Sequence, residues 1–130
     1  MVDVILVEDT LSESALAYIA IALRRPGTRV AEVSSLEQAR GLVERNGRKR
    51  PIVILGRRAL CLGITEFMQA VGEGAAVVGL ATEVRQECRS RALRAGVHAL
   101  YERPFDWKQY AALVATILDQ WTASPEAAHG

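Results

Sequence analysis

Five short stretches of this chain are almost entirely apolar, and they alternate with segments of helical periodicity. A short uninterrupted apolar run is typical of a strand that is covered on both faces of a parallel sheet. Alternating strands and helices predict right-handed crossovers and a layered α/β architecture. The predicted strands are residues 4–7, 28–33, 51–55, 75–80 and 97–101.

Polar N-cap patterns indicate where the helices begin. Capping boxes start at Thr10 and at Ser35, each with Glu or Gln three residues later. Thr82 and Asp106 are further N-cap candidates for the helices that follow the fourth and fifth strands. The pattern therefore predicts helices after each of these four positions, the first running to about residue 24.

The first predicted helix carries more apolar residues than a single core-facing stripe needs. Tyr18 and Ile21 are expected to point away from the core, which makes them candidates for self-association, as a homodimer, or for partner binding. The alternative is that they are two scattered apolar surface residues of the ordinary kind. The inward face is predicted to be Leu16, Ile19, Ala20 and Leu23.

Composition bounds the class of protein. The chain has 130 residues, of which 50% are hydrophobic and 24% charged, with a net charge of +1. These values predict one globular domain over residues 1–122 and an aperiodic tail or linker over 123–130. The charge gives no general argument for direct binding of nucleic acid or a membrane. Cys61 and Cys88 lack metal-ligand spacing, so reduced thiols and a cytoplasmic location are expected.

Three short motifs lie at the carboxyl edge of the predicted sheet or just before its last strand. Glu8-Asp9 follows the first strand, residues 92–99 read Ala-Leu-Arg-Ala-Gly-Val-His-Ala, and Arg103-Pro104-Phe105 follows the fifth strand. Together they resemble the receiver domain of bacterial response regulators, over essentially the whole chain. The resemblance implies a doubly wound, flavodoxin-like, five-stranded parallel sheet of order 2-1-3-4-5.

The resemblance also implies a phosphorylation chemistry that this sequence lacks. In the family, an Asp after the third strand accepts a phosphoryl group beside Mg²⁺, but Gly56 stands at that position. The hydroxyl position falls on Ala81, with Thr82 one place later, and the lysine position falls on Arg103. The switch aromatic falls on Leu100, with Tyr101 beside it. We therefore expect no catalytic residue and no enzyme activity.

The acidic pocket needs a counter-ion in place of the family's metal. Arg103, with Arg57 or Arg58, is predicted to pair with Glu8 and Asp9, because arginine suits carboxylates and keeps its charge. The alternative is that these arginines are solvated and the acidic pair binds Mg²⁺ weakly. No other metal or cofactor is expected.

The expected function is a phosphorylation-independent receiver-like module that recognises a protein partner in two-component phosphorelay signalling, such as a histidine kinase or an output domain. Alternatives are a regulatory input domain of a larger transcription factor or kinase, and a receiver with residual phosphate or Mg²⁺ sensing. The helix after the fourth strand can equally be an ordinary solvated helix. The predicted partner face is Arg85, Arg89, Leu100, Tyr101 and Trp107.

Overall fold

A computed structural model describes residues 1–8 and 10–122. Asp9 of the predicted acidic pocket and the predicted tail 123–130 lie outside the described residues. The strands are β1 (Val4–Val7), β2 (Val30–Val33), β3 (Ile52–Leu55), β4 (Ala76–Ala81) and β5 (Ala99–Glu102). The helices are α1 (Leu11–Arg24), α2 (Leu36–Arg45), α3 (Arg57–Cys61), α4 (Ile64–Val71), α5 (Gln86–Ala95) and α6 (Trp107–Trp121), with a 3₁₀ turn at Gly72–Gly74.

The five strands form one parallel sheet in the order β2-β1-β3-β4-β5, which confirms the predicted doubly wound topology. The order reverses between β1 and β3, and such a switch point opens a crevice at the carboxyl ends of the strands. Val7 is in register with Leu55. The backbone N–H of Gly56 donates to the carbonyl of Val7 at 2.9 Å, so the residues that follow β1 and β3 stand side by side.

Alternate strand residues build two separate cores, one on each face of the sheet, as the pleat requires. Helices α2 to α5 cover one face and α1 and α6 cover the other. Both faces are covered, which explains why every residue of β1, β3 and β4 is buried and why their sequences are apolar throughout. The strand residues in the first core include Ile5, Val7, Val53, Leu55 and Val77. Those in the second include Val4, Leu6, Ile52, Ile54, Val78 and Leu80.

The inward face of α1 differs from the prediction. Ile21 is fully buried, whereas Ile19 is 49% and Leu23 is 68% exposed. The helix lies against α6 as well as against the sheet, and small residues let the two helices approach closely. Hydrophobicity alone could not rank the two apolar sides of this helix. The buried residues are Ser14, Ala17, Ala20 and Ile21.

Two of the four predicted N-caps are confirmed. The Ser35 hydroxyl accepts from the N–H of Gln38 at 3.2 Å, and the Asp106 carboxylate accepts from the N–H of Gln109 at 3.0 Å. Thr10 stands at the N-cap of α1 but its side chain makes no capping bond. The prediction for Thr82 is wrong, because α5 begins four residues later, at Gln86.

A buried asparagine fastens the end of α2 to the start of the chain. Asn46 is 3% exposed, and its Oδ1 accepts from the N–H of Val2 at 2.9 Å. Its Nδ2 donates to the carbonyls of Val2 at 2.8 Å and Lys49 at 3.1 Å. The side chain thereby supplies hydrogen-bond partners for partly buried backbone groups of Val2 and Lys49.

An ion-pair cluster joins the ends of α1 and α6. The Asp119 carboxylate lies 2.5 Å from Arg24 Nη2 and 3.2 Å from Arg25 Nη2. Arg25 Nη1 also donates to the Thr122 hydroxyl at 2.9 Å. The hydrogen bond from Arg24 is the main cause that lowers the pKa of Asp119. The two helices that cover the second core are therefore tied together at their carboxyl ends.

Candidate functional site

Two depressions open at the carboxyl edge of the sheet, where β1 and β3 end. One, of about 400 Å³, is bordered by Glu8, Gly56 and Arg58 among others. The other, of about 310 Å³, is bordered by Glu8, Arg58, Thr82 and Arg103 among others. Glu8 and Arg58 belong to both. The topology thus gathers most of the predicted acidic pocket at one edge.

The closest approach at this edge is between Glu8 and Gly56. A Cβ on residue 56 would stand 2.5 Å from Glu8 Oε2, 2.7 Å from Oε1 and 2.8 Å from Cδ. The Gly56 backbone has φ −78° and ψ 178°, an extended conformation that any residue adopts. The backbone therefore does not demand glycine here, and a Cβ on residue 56 would require the end of the Glu8 side chain to move.

The end of β4 supplies no hydroxyl at the family's position. Ala81 is buried at 6% exposure, and its carbonyl accepts from the N–H of Arg103 at 3.1 Å. Thr82 is half-buried and borders the smaller depression, together with Thr10 and Ser12. The hydroxyl groups of this edge are thus placed around the depression, one residue away from the position that the resemblance implies.

Arg103 has a carboxylate neighbour that the sequence had not assigned to it. Its Nε lies 2.8 Å from Glu13 Oε2, with the side chains 20% and 33% exposed. The buried Nε–H nevertheless makes no hydrogen bond of acceptable geometry, so the contact is an ion pair held by proximity. Arg103 thus pairs with Glu13, on the neighbouring helix α1, a pairing that the sequence analysis did not predict.

An aromatic ring holds the other side of the same arginine. Arg103 Cζ lies 5.1 Å from the centroid of the Tyr110 ring, a cation–π distance. Burial raises the pKa of Tyr110 to about 12, and the nearby Arg103 charge opposes that rise. Tyr110 is 3% exposed. No local sequence pattern indicates that Arg103 would lie against this tyrosine.

Of the three positions that hold Mg²⁺ in the family, the structure describes residues 8 and 56 but not 9. Such an ion prefers a near-octahedral set of oxygen ligands with carboxylates among them. Gly56 brings no side-chain oxygen, and its carbonyl already accepts from the N–H of Leu60 at 3.2 Å. Within residues 1–8 and 10–122, no three His, Cys, Asp or Glu side chains gather into a cluster that could hold a metal.

The position of the family's switch aromatic is filled by a packed aliphatic side chain. Leu100 is half-buried over Gly79, where a Cβ would stand 2.6 Å from Leu100 Cδ2. The next residue, Tyr101, lies on the opposite face of the sheet and belongs to the other core. Its hydroxyl accepts from Trp121 Nε1 at 2.8 Å and donates to Gln120 at 3.1 Å. Leu100 and Tyr101, two of the five residues of the predicted partner face, thus pack against the two cores on opposite faces of the sheet.

The remaining predicted surface residues are spread over two sides of the molecule. Arg85 is exposed, with its Nη2 3.7 Å from Glu87 Oε2, and Arg89 is half-buried on the same helix. Trp107 is 39% exposed, and its ring centroid lies 5.9 Å from that of Tyr110.

The self-association pair needs correction. Tyr18 is 47% exposed, but Ile21 lies in the core and cannot take part in a surface. The loop after β5 presents Phe105, which is 93% exposed. The exposed large apolar residues of α1 are Leu11, Tyr18, Ile19 and Leu23.

Comparison with known proteins identifies the fold. No family model and no curated protein matches the chain. Among solved structures, it is similar to a response regulator of red light signalling in R. palustris, with a TM-score of 0.75 and 19% identity over 95% of this chain and 97% of that one. It is similar to a response regulator from Hahella chejuensis, with a TM-score of 0.76 and 19% identity over 93% and 95% of the two chains.

A third similar structure is described as an atypical orphan response regulator with a new phosphorylation-independent regulatory mechanism. Its TM-score is 0.67, with 15% identity over 94% of this chain and 99% of that one. At these identities the likeness shows the receiver fold, which agrees with the observed strand order. Across residues 1–8 and 10–122, no helix combines the length and the apolar character needed to cross a bilayer.

Proposed function

We propose that this chain is a pseudo-receiver: a cytoplasmic module of two-component signalling that recognises a protein partner without being phosphorylated. The observation that carries the proposal is the Glu8 carboxylate, which fills the space above Gly56. In the receiver family, as the resemblance implies, that space belongs to the phosphoacceptor Asp. Here the residue after β3 has no nucleophile, and an incoming phosphoryl group would meet the Glu8 carboxylate at this place.

The state of Arg103 supports the same function. A phosphate-binding cation must be able to reach the phosphoryl oxygens, and a lysine on a flexible stem does so as a point charge. Arg103 lies instead between the Glu13 carboxylate and the Tyr110 ring. Releasing it would separate an ion pair and a stacked contact that are both largely shielded from water. The Arg103 charge thus acts as a permanent ion-pair partner of Glu13 on α1.

The β5 residues support an interaction role with little internal switching. Leu100 packs over Gly79, and the Tyr101 hydroxyl is bonded to Trp121 and Gln120. The resemblance implies an aromatic side chain that moves between a buried and an exposed position, whereas here Leu100 is aliphatic and Tyr101 is hydrogen-bonded on the opposite face of the sheet. We propose that the partner, a histidine kinase or an output domain, recognises a single conformation of this domain that does not depend on phosphorylation.

Phosphorylation and metal binding test the proposal together. The full chain is incubated with acetyl phosphate and Mg²⁺ and followed by intact-mass spectrometry, beside a genuine receiver domain as the control for the reagent. We expect no added phosphate on this chain. A phosphorylated product, mapped to any carboxylate of the edge, would contradict the proposal and favour the residual-sensing alternative. Titration with Mg²⁺ by NMR should give no saturable, localised shifts at Glu8.

Partner binding is tested on the same protein. A histidine kinase or output domain found to bind should do so with the same Kd before and after acetyl phosphate treatment. A Kd that changes with this treatment would contradict phosphorylation independence.

Light scattering tests the predicted homodimer. It compares wild type with Ile19→Lys, which changes an exposed residue of α1, and with the control Gln69→Lys, which is exposed on α4.

A further inference from the structure

Another depression lies at the opposite edge of the sheet, where the strands begin, and its volume is about 830 Å³. Three of the apolar residues that line it are almost fully buried, so they form its base. These are Val4 at the start of β1, Ile52 at the start of β3 and Leu118 of α6, and none is more than 3% exposed. A concave site of this volume with an apolar base is typical of small-molecule binding. We call it the amino-edge recess.

Two basic segments border the amino-edge recess, although they lie far apart in the sequence. One runs from the end of α1 to β2, and the other joins α2 to β3. Their cationic side chains are Arg24, Arg25, Arg29, Arg48, Lys49 and Arg50. Within residues 1–8 and 10–122, the carboxylates at ion-pair distance from them are Asp3, Glu73 and Asp119. Six cations therefore face three carboxylates, a larger excess than the +1 of the whole chain.

Neighbouring groups hold three of the lining cations in position. Lys49 Nζ lies 2.6 Å from Asp3 Oδ1, and Arg25 Nη1 donates to the Thr122 hydroxyl at 2.9 Å. Arg50 Nε donates to a backbone carbonyl of the 3₁₀ turn at 3.2 Å. Between 31% and 48% of each of the three cationic side chains is still exposed. These cations are therefore both ordered and within reach of a solute.

Arg48 is the fourth lining cation and differs from the other three. It is exposed, and no carboxylate within residues 1–8 and 10–122 forms an ion pair with it. A guanidinium binds a phosphate through two parallel hydrogen bonds and keeps its charge at physiological pH. Arg48 is therefore available to an anionic ligand.

We propose that the amino-edge recess binds a phosphate-bearing small molecule. Its phosphate contacts Arg48 together with Arg25 and Arg50, and its uncharged part lies over the apolar base. A phosphomonoester carries about −1.5 to −2 charges at pH 7, which offsets the local excess of cations. The concave shape favours a small molecule over nucleic acid, whose phosphates extend along a rod and need a long basic surface. Because the recess lies at the opposite edge from Glu8 and Gly56, this proposal is independent of the pseudo-receiver function.

Backbone amide NMR of the full chain tests the proposal. The probes are pyrophosphate and ATP without Mg²⁺, and adenosine is the uncharged control. We expect saturable shifts from both phosphate probes at Gly27, Thr28 and Arg50, with a Kd below about 1 mM, and no saturable shift from adenosine. The absence of such shifts with either phosphate probe, or shifts centred on Glu8 and Gly56 instead, would overturn the proposal.

A pair of charge-reversal variants locates the site. Arg48→Glu should raise the Kd for pyrophosphate at least about tenfold, because it replaces a charge-assisted contact with a repulsive one. Arg91→Glu makes the same change on the exposed side of α5 and should alter the Kd less than about twofold, since distant surface charges are screened. Equal effects of the two variants would contradict a site at Arg48. The amide spectrum of each variant shows directly whether it is folded.

Two further probes separate a small-molecule site from a surface for a larger polyanion. A single-stranded oligonucleotide and vesicles that contain anionic lipid are each titrated under the same conditions. We expect neither to bind more tightly than ATP. An oligonucleotide whose affinity exceeds that of ATP and grows with its length would indicate a nucleic-acid surface and count against the proposal. Tight binding to the vesicles alone would do the same in favour of a membrane surface.

Discussion

The carboxylate of Glu8 lies so close to Gly56 that a single added carbon on residue 56 would come within 2.5 Å of it. The two residues are joined through the sheet, since the N–H of Gly56 donates to the carbonyl of Val7. Strand pairing therefore fixes the distance between the backbones that carry these two residues. The Glu8 carboxylate occupies the space that a side chain on residue 56 would need. A substitution at either residue therefore changes which side chains fit at the other.

A double-mutant cycle measures this relationship. Gly56→Ala in a Glu8→Ala background should stabilise the protein by about 0.4–1 kcal/mol, because the extended backbone accepts alanine and the unfolded chain loses freedom. In the wild-type background the same change forces the carboxylate to move, so we expect a coupling free energy of about 1 kcal/mol. Chemical denaturation of the four proteins gives the value. A coupling near zero would show that Glu8 leaves this space at no cost.

Alkaline pH should weaken the fold through Tyr110. Its folded pKa is raised from 10.0 to about 12, so the folded state holds the phenol proton more tightly than the unfolded chain does. The resulting stability is complete below pH 10 and is lost as the pH rises through about 12. Denaturation midpoints of wild type and Tyr110→Phe between pH 9 and pH 12 test this. The difference between the two proteins should change steadily in favour of the Phe variant; parallel curves would contradict the assignment.

Low pH should weaken the clamp between α1 and α6, which consists of the Asp119 carboxylate and its ion pairs with Arg24 and Arg25. The pKa of Asp119 lies below its ordinary 3.8, chiefly because Arg24 donates to the carboxylate. The clamp therefore stabilises the fold above that pH and loses its effect as the pH falls through the lowered pKa. Wild type should melt at a higher temperature than Asp119→Asn at pH 7, and the gap should narrow as the pH falls below 3.8. Glu66→Gln, exposed on α4, is a control without this contact.

Removing the Asn46 side chain should lower the free energy of unfolding by more than the size of the side chain implies. Asn46→Ala leaves the backbone groups of Val2 and Lys49 without their side-chain partner. Unsatisfied buried polar groups cost about 1–3 kcal/mol each in mutational series, so we expect a loss in that range. Urea denaturation measures it, with Gln69→Ala on α4 as a nearly neutral control. A loss below a few tenths of a kcal/mol would mean that water replaces the amide.

The sequence predicted the structure best where a single physical effect determines which residues a position accepts. The covered parallel sheet followed from buried strands that tolerate only apolar residues, whereas the strand order and the absence of a carboxylate at Gly56 were recognised through the family resemblance. The side of α1 was mistaken, since Ile19 and Ile21 are equally apolar and only contact with α6 decides between them. Helix α3 was missed because its five residues are too few to show periodicity. The Arg103–Glu13 pair joins residues 90 positions apart, which no local pattern records.

Both ends of the described chain lie far from the candidate site. Met1 and Thr122 border one depression of about 830 Å³ at the edge where the strands begin, whereas Glu8 and Gly56 follow the strands at the opposite edge. A fluorescent label or a fused domain at either end would therefore leave the carboxyl edge uncovered. Labels at Met1 and Thr122 would also lie near each other, so that energy transfer between them would report the separation of the two ends of the described chain.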